Sequence, residues 1–181
     1  VTLTPVLVFA DKNASGTPKT VSLTGSSIAG IDSGNYTLSL TGAPTASANL
    51  TARPITVTAV TDTKVYDGTT SSAGVPTITT GALQGTDSVA WTQTYDNKNI
   101  GSGNKTMTAA GTVSDGNSGL NYSVTFATNT TGSITAKSLT IGGTFTANNK
   151  VYDATTSATI LVNSLTLTGV VGAETVTLTP V

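Results

Sequence analysis

The chain has 181 residues, neither His nor Cys, 9% charged residues and a formal net charge of −1. So sparse and balanced a charge excludes the basic footprint of a nucleic-acid binder and offers nothing to anionic lipid. Disulfide staples are excluded as well, and the common general base and thiol nucleophile are missing, so no enzyme is expected.

Roughly a fifth of the residues are Thr, with abundant Val, Ser, Ala and Gly, a mixture suited to strands and tight turns. No stretch of apolar residues is long enough to span a membrane, so no membrane insertion is expected. Val1 to Thr4 alternates apolar and polar, as a strand with one buried face should. Its VTLTPV returns at residues 176–181. Phe9 to Asn13 leads into a turn-rich segment, and Thr20 to Thr24 alternates again. The turn cluster Gly30 to Asn35 precedes a third strand, with Tyr36, Leu38 and Leu40 on one face. Ala52 to Thr58 reads as a junction between repeats, and Pro54 suits a strand start.

Next comes the box Lys64-Val65-Tyr66-Asp67-Gly68-Thr69-Thr70, which returns as Lys150-Val151-Tyr152-Asp153-Ala154-Thr155-Thr156, 86 residues on. The same offset matches Lys12-Asn13 with Lys98-Asn99, Lys19-Thr20 with Lys105-Thr106, and Asn35-Tyr36 with Asn121-Tyr122. A fixed period of this size marks an array of small domains. Residues 1–53 then read as the back of one repeat, 54–137 as a complete repeat, and 138–181 as the front of the next. The second junction, Ser133 to Ile141, also lacks a Gly/Ser linker, which favours a stiff array. Short alternating strands broken by Gly, Asn, Asp and Pro predict an all-β chain of tandem antiparallel, Ig-like sandwiches of about 86 residues.

Period-two alternation predicts Val65, Tyr66, Val89, Tyr122, Val124 and Phe126 inside, with Thr56, Thr58, Ser123 and Thr125 outside. The candidate site is a structural motif: Lys64, Tyr66, Asp67 and Gly68, repeated in Lys150, Tyr152 and Asp153, together with Tyr36 and Tyr122. Asp67 and Asp153 are expected to cap a turn. Calcium would need more carboxylates than each repeat supplies. Tyr36 and Tyr122, each entering a strand from a Gly-rich turn, are expected to pin that turn through the hydroxyl. Trp91 is expected in the core rather than as a sugar platform. A Lys–Asn isopeptide crosslink is disfavoured, because Glu174 has no Glu counterpart in the middle repeat. No catalytic, cofactor-binding or metal-binding residue is expected.

The box, the Phe9 to Asn13 segment, the Lys-Thr strand and the Ser33 to Leu38 approach together resemble the YDG-type repeat of large secreted bacterial proteins, the filamentous-haemagglutinin-like adhesins. The resemblance covers essentially the whole chain in permuted order. Ala154 in place of the box glycine and the looser Ser118-Gly119-Leu120-Asn121 approach depart from it. It implies an extracellular or cell-surface array and carries over no catalytic residue. Cell-surface glycan or host protein are the ligands such an array implies. The matching VTLTPV termini suggest a 175-residue unit cut from a longer run. Neighbouring copies are then expected to join head to tail in a filament, front half against back half.

Overall fold

Alternation of Thr with Val, Ile and Leu builds sixteen strands among residues 1–179, which the computed structural model describes. The chain is all-β, 43% strand and 2% helical. In order the strands are β1 Thr2–Thr4, β2 Val8–Phe9, β3 Lys19–Ser22, β4 Ser27–Ala29, β5 Ala46–Ala48, β6 Arg53–Thr58, β7 Thr63–Val65 and β8 Thr77–Thr80. There follow β9 Ser88–Val89, β10 Thr92–Tyr95, β11 Gly101–Ala110, β12 Val113–Ser114, β13 Tyr122–Ala127, β14 Asn129–Thr135, β15 Thr140–Ala147 and β16 Ile160–Thr168. Two compact units arise, one from Val1–Val60, Val75–Gln93 and Thr108–Thr128, the other from Thr61–Gly74, Thr94–Met107 and Asn129 onward.

In the first unit β6 is the middle strand of a three-stranded sheet, antiparallel to β8 and parallel to β13. The β13 register sets Tyr122 opposite Arg53, Val124 opposite Ile55 and Phe126 opposite Val57. Ile55, Val57 and Ala59 alternate with Thr56 and Thr58, and all three apolar side chains are buried. Each larger one contributes on the order of 1.5–3 kcal/mol by leaving water. Trp91, Ala109, Val113 and Tyr122 are buried as well, and Trp91 meets Phe126 edge to face at 5.7 Å. The indole nitrogen of Trp91 is buried without a hydrogen-bond partner among the described residues. Residues 1–53 add the pair β1–β4 and the antiparallel sheet β2-β3-β5. Among these described residues Val21 alone is a buried apolar side chain.

The second unit holds β14 between β11, antiparallel, and β7, parallel. Tyr95, Met107 and Ile134 form its buried apolar set. Beside them in sequence, β15 and β16 make a long hairpin from Thr140↔Thr168 to Ala147↔Ile160. That hairpin stays wet: Ile141, Phe145, Leu161 and Val162 are all exposed.

Several expectations need correction, the buried face of Val1 to Thr4 among them, since Val1, Leu3 and the rest of β1 are exposed. The sheets are not purely antiparallel, since β6 and β7 at the start of the middle repeat run alongside β13 and β14 at its end. Val65 is 56% exposed, because Lys64 rather than Val65 turns inward to wrap the box turn. Phe126 is 39% exposed, its edge contact with Trp91 covering one side only, and Tyr66, Val89 and Val124 are half-buried, as are Thr56 and Thr58. Tyr36 to Leu40 forms no strand, for no neighbouring backbone ladder receives it, whereas its counterpart β13 lies along β6.

Candidate functional site

The box is a short loop that closes on its own polar groups. After β7, Asp67 Oδ1 accepts from the Thr69 amide at 2.9 Å, the Thr69 hydroxyl at 2.9 Å and Lys64 Nζ at 2.8 Å. Lys64 Nζ also donates to the Thr69 carbonyl at 2.9 Å and lies 5.3 Å over the Tyr95 ring. An aspartate that accepts from the residue two positions on offers the backbone a turn without a ladder. Gly68 sits at φ +79°, left-handed backbone that glycine enters without penalty. The Lys64 ammonium, and then the Thr69 amide and hydroxyl, hold the Asp67 carboxyl down at about 2.

The second box repeats this arrangement. Asp153 Oδ1 accepts from the Thr155 amide at 3.0 Å, its hydroxyl at 2.9 Å and Lys150 Nζ at 2.8 Å, and the same partners lower its pKa. Ala154 takes φ +58°, so the polar ring forces a residue with a Cβ into left-handed backbone at a cost of about 1–2 kcal/mol. The two boxes differ in surroundings. In the first, the Tyr66 amide bonds to the Thr135 carbonyl at 2.8 Å and Lys64 pairs with Ile134 in the ladder. In the second, Val151 and Tyr152 are almost fully exposed.

The two tyrosines also part ways. Tyr122, 7% exposed, donates its hydroxyl to Asp87 at 2.7 Å and accepts from the Gln84 amide at 2.8 Å, tying down the turn in which the Asp87 amide bonds to Gln84 O. Burial first, and Asp87 second, raise its pKa. Asp115 supports the approach to it, accepting from the amides of Asn117, Gly119 and Asn121 at 2.7–2.9 Å. Tyr36, by contrast, is 64% exposed.

Two contacts between successive repeats went unseen in the sequence. Within the first unit, Asn121 Oδ1 accepts from the Ala14 amide at 2.6 Å, and the Asn117 side chain donates to the Ala14 carbonyl at 3.2 Å. Within the second, Glu174 accepts from Lys98 Nζ at 2.5 Å and from the Tyr66 hydroxyl, with Lys98 5.9 Å over the Tyr66 ring. Lys98 and then Tyr66 lower the Glu174 pKa. Glu174 does have a counterpart: its amide bonds to Val171 O at 3.1 Å, as the Asp87 amide bonds to Gln84 O at 3.1 Å. The offset there is 87 residues, and the residue type changes, which hid the match.

Lys105 is buried, with Nζ 2.5 Å from Asn97 Oδ1 and 3.3 Å from Asp96 Oδ1; its first-repeat counterpart Lys19 pairs with Asp11. Lys105 Nζ faces the amide oxygen of Asn97, which is exposed, and the carboxylate of Asp96, the geometry of a polar tether. Among the described residues no three acidic side chains gather as a metal site. The buried Trp91 presents no sugar-stacking face.

No curated protein and no solved structure matches the chain. A family model does: residues 51–131, which take in the first box, the Asp87 turn, the Lys98 to Lys105 segment and the Asn121-Tyr122 strand, carry a YDG domain.

Proposed function

We propose that this chain is a structural segment of a bacterial surface adhesin or filament, an extracellular stalk of tandem Ig-like sandwiches whose copies follow one another head to tail. One observation carries the reading. The box hydrogen-bond ring is built twice, 86 residues apart, with the same four groups, and it serves only to fix a turn. A device repeated at a fixed period, whose polar groups are spent on one another, belongs to architecture. The sandwich reading draws on short strands with one buried face, as in β6, where Ile55 and Val57 are buried and Thr56 and Thr58 are not. Direct bonding between successive repeats, at Ala14 and at Glu174, supports stiffness. The rival class, a glycan- or host-protein-binding module, would draw on an exposed aromatic platform; the single Trp is buried, and Tyr36, Phe126, Phe145 and Tyr152 are the exposed aromatics it would have to use. A glycan array and a panel of host surface proteins probed with the full chain test the choice. The stalk reading expects no specific binding; saturable binding abolished by one surface substitution would replace it with the binding module.

A further inference from the structure

The structure contains both halves of an unmade strand pairing, together with a finished version of it. In the middle repeat, β13 lies parallel along β6, Tyr122 opposite Arg53 through Ala127 opposite Thr58. The counterpart of β13 is Tyr36-Thr37-Leu38-Ser39-Leu40-Thr41, 86 residues earlier. It keeps the alternation of β13 and belongs to no strand here. The counterpart of β6 is Lys137-Ser138-Leu139-Thr140-Ile141-Gly142, because Ala52-Arg53-Pro54-Ile55-Thr56-Val57 aligns with Ala136-Lys137-Ser138-Leu139-Thr140-Ile141 at an offset of 84.

The ladders bear out that alignment. Thr56 pairs with Thr80 ahead of Gly81 at φ +78°, and Thr140 pairs with Thr168 ahead of Gly169 at φ +104°. The β15–β16 hairpin has thus gained two residues on each strand and kept the register at its base. Only β16 is hydrogen-bonded to β15 among the described residues, so its second edge carries no strand. Ile141 on it and Leu139 just ahead of it are exposed, whereas their counterparts Ile55 and Val57 are the best-buried large side chains of the first unit.

We infer that the edge Lys137–Gly142 of one copy accepts Tyr36–Thr41 of a second copy as a parallel strand. The register follows from the finished pair: Tyr36 meets Lys137, Leu38 meets Leu139, Ser39 meets Thr140 and Leu40 meets Ile141. Main-chain hydrogen bonds supply the attraction, and the alternate apolar side chains fix the register, since a slip of one residue turns Leu38 and Leu40 to the solvent face. The receiving side is already shaped. Glu174 holds the turn position of Asp87, which takes the Tyr122 hydroxyl in the middle repeat, and so stands where the incoming Tyr36 hydroxyl arrives. An exposed edge with apolar residues is otherwise an aggregation hazard, and a strand of this sequence covers it specifically. The inference rests on the head-to-tail reading above and names the strands that would make the joint.

The chain has no native Cys, so paired substitutions report the contact directly. Ser39→Cys and Thr140→Cys sit at exposed positions and are placed on separate full-length chains, mixed and oxidised. Neighbouring strands lie about 4.8 Å apart, within disulfide reach, whereas Ser39→Cys against Thr144→Cys is out of register by about 13 Å. The expected result is a mixed disulfide dimer from the first pair, roughly tenfold above the second, with the bridging peptides identified by mass spectrometry. Equal yields from the two pairs, or none from either, overturn the inference. Light scattering of the unsubstituted chain separates the two levels. Oligomers without the in-register disulfide would mean that copies join elsewhere, leaving the head-to-tail reading intact. A chain that stays monomeric at every concentration removes both.

Discussion

Tyr122 and Tyr36 occupy the same place in two repeats and meet opposite fates. Tyr122 heads a strand laid along β6 and pins the Asp87 turn with its hydroxyl; Tyr36 heads the same alternating pattern and stands in solvent. Nothing in the side chains explains the difference, because YSVTFA and YTLSLT share their alternation. What differs is the edge beside them. A strand's pattern says which face it will bury, and only a partner edge makes burial happen. The box turns make the complementary case. Their ring of Lys, Asp and Thr is local, so it closes whether or not the surrounding repeat has a core.

The largest test of this contrast is truncation of the two tyrosines. Tyr122→Ala should destabilise the chain by about 3–5 kcal/mol in urea unfolding. Tyr36→Ala should change it by less than about 0.5 kcal/mol in dilute solution. A matching pair tests the sheets: Met107→Ala, at a fully buried site, should cost about 2–5 kcal/mol, and Phe145→Ala, 59% exposed on the hairpin, within about 0.5 kcal/mol of nothing. Comparable losses at both members of either pair would erase the distinction between finished and unfinished repeats.

Smaller effects sharpen the comparison at the boxes. Gly68→Ala should cost about 1–2 kcal/mol, since its Cβ enters left-handed backbone and would also meet Val171 at 2.9 Å. Ala154→Gly should relieve about 1 kcal/mol of strain, read as slower hydrogen exchange at the Thr155 amide. The pH dependence follows from the depressed carboxyl. Asp67 falls from 3.8 to about 2, so the tether it makes is fully present above pH 3.8 and is lost as pH falls through about 2. The Thr69 amide resonance should report that midpoint. A midpoint near the ordinary aspartate value would show that the ring is open in solution.

The sequence made some of this legible and not the rest, for physical reasons. Turn chemistry is local, so KVYDGTT announced itself as a turn wherever it occurred, and Tyr122 could be named as a pin before its acceptor was known. Strand partners are not local: alternation gave the faces of β6 and β13 but not that they run parallel. Alternation alone puts Val65 inside, whereas it is Lys64 that turns in, its ammonium lying over Tyr95 and finding Asp67 and Thr69. The match of Glu174 to Asp87 was lost in a hairpin whose strands had each grown by two residues.

The most direct test of the account is hydrogen exchange followed peptide by peptide on the dilute chain. Amides of β6 and β13, about residues 53–59 and 122–127, should exchange slowly and together, while residues 36–41 exchange as free chain and those on the open side of β15 exchange far faster than β6. Equal protection of 36–41 and 122–127 in the dilute monomer would contradict the account, because the first-repeat strand would then already have an edge of its own.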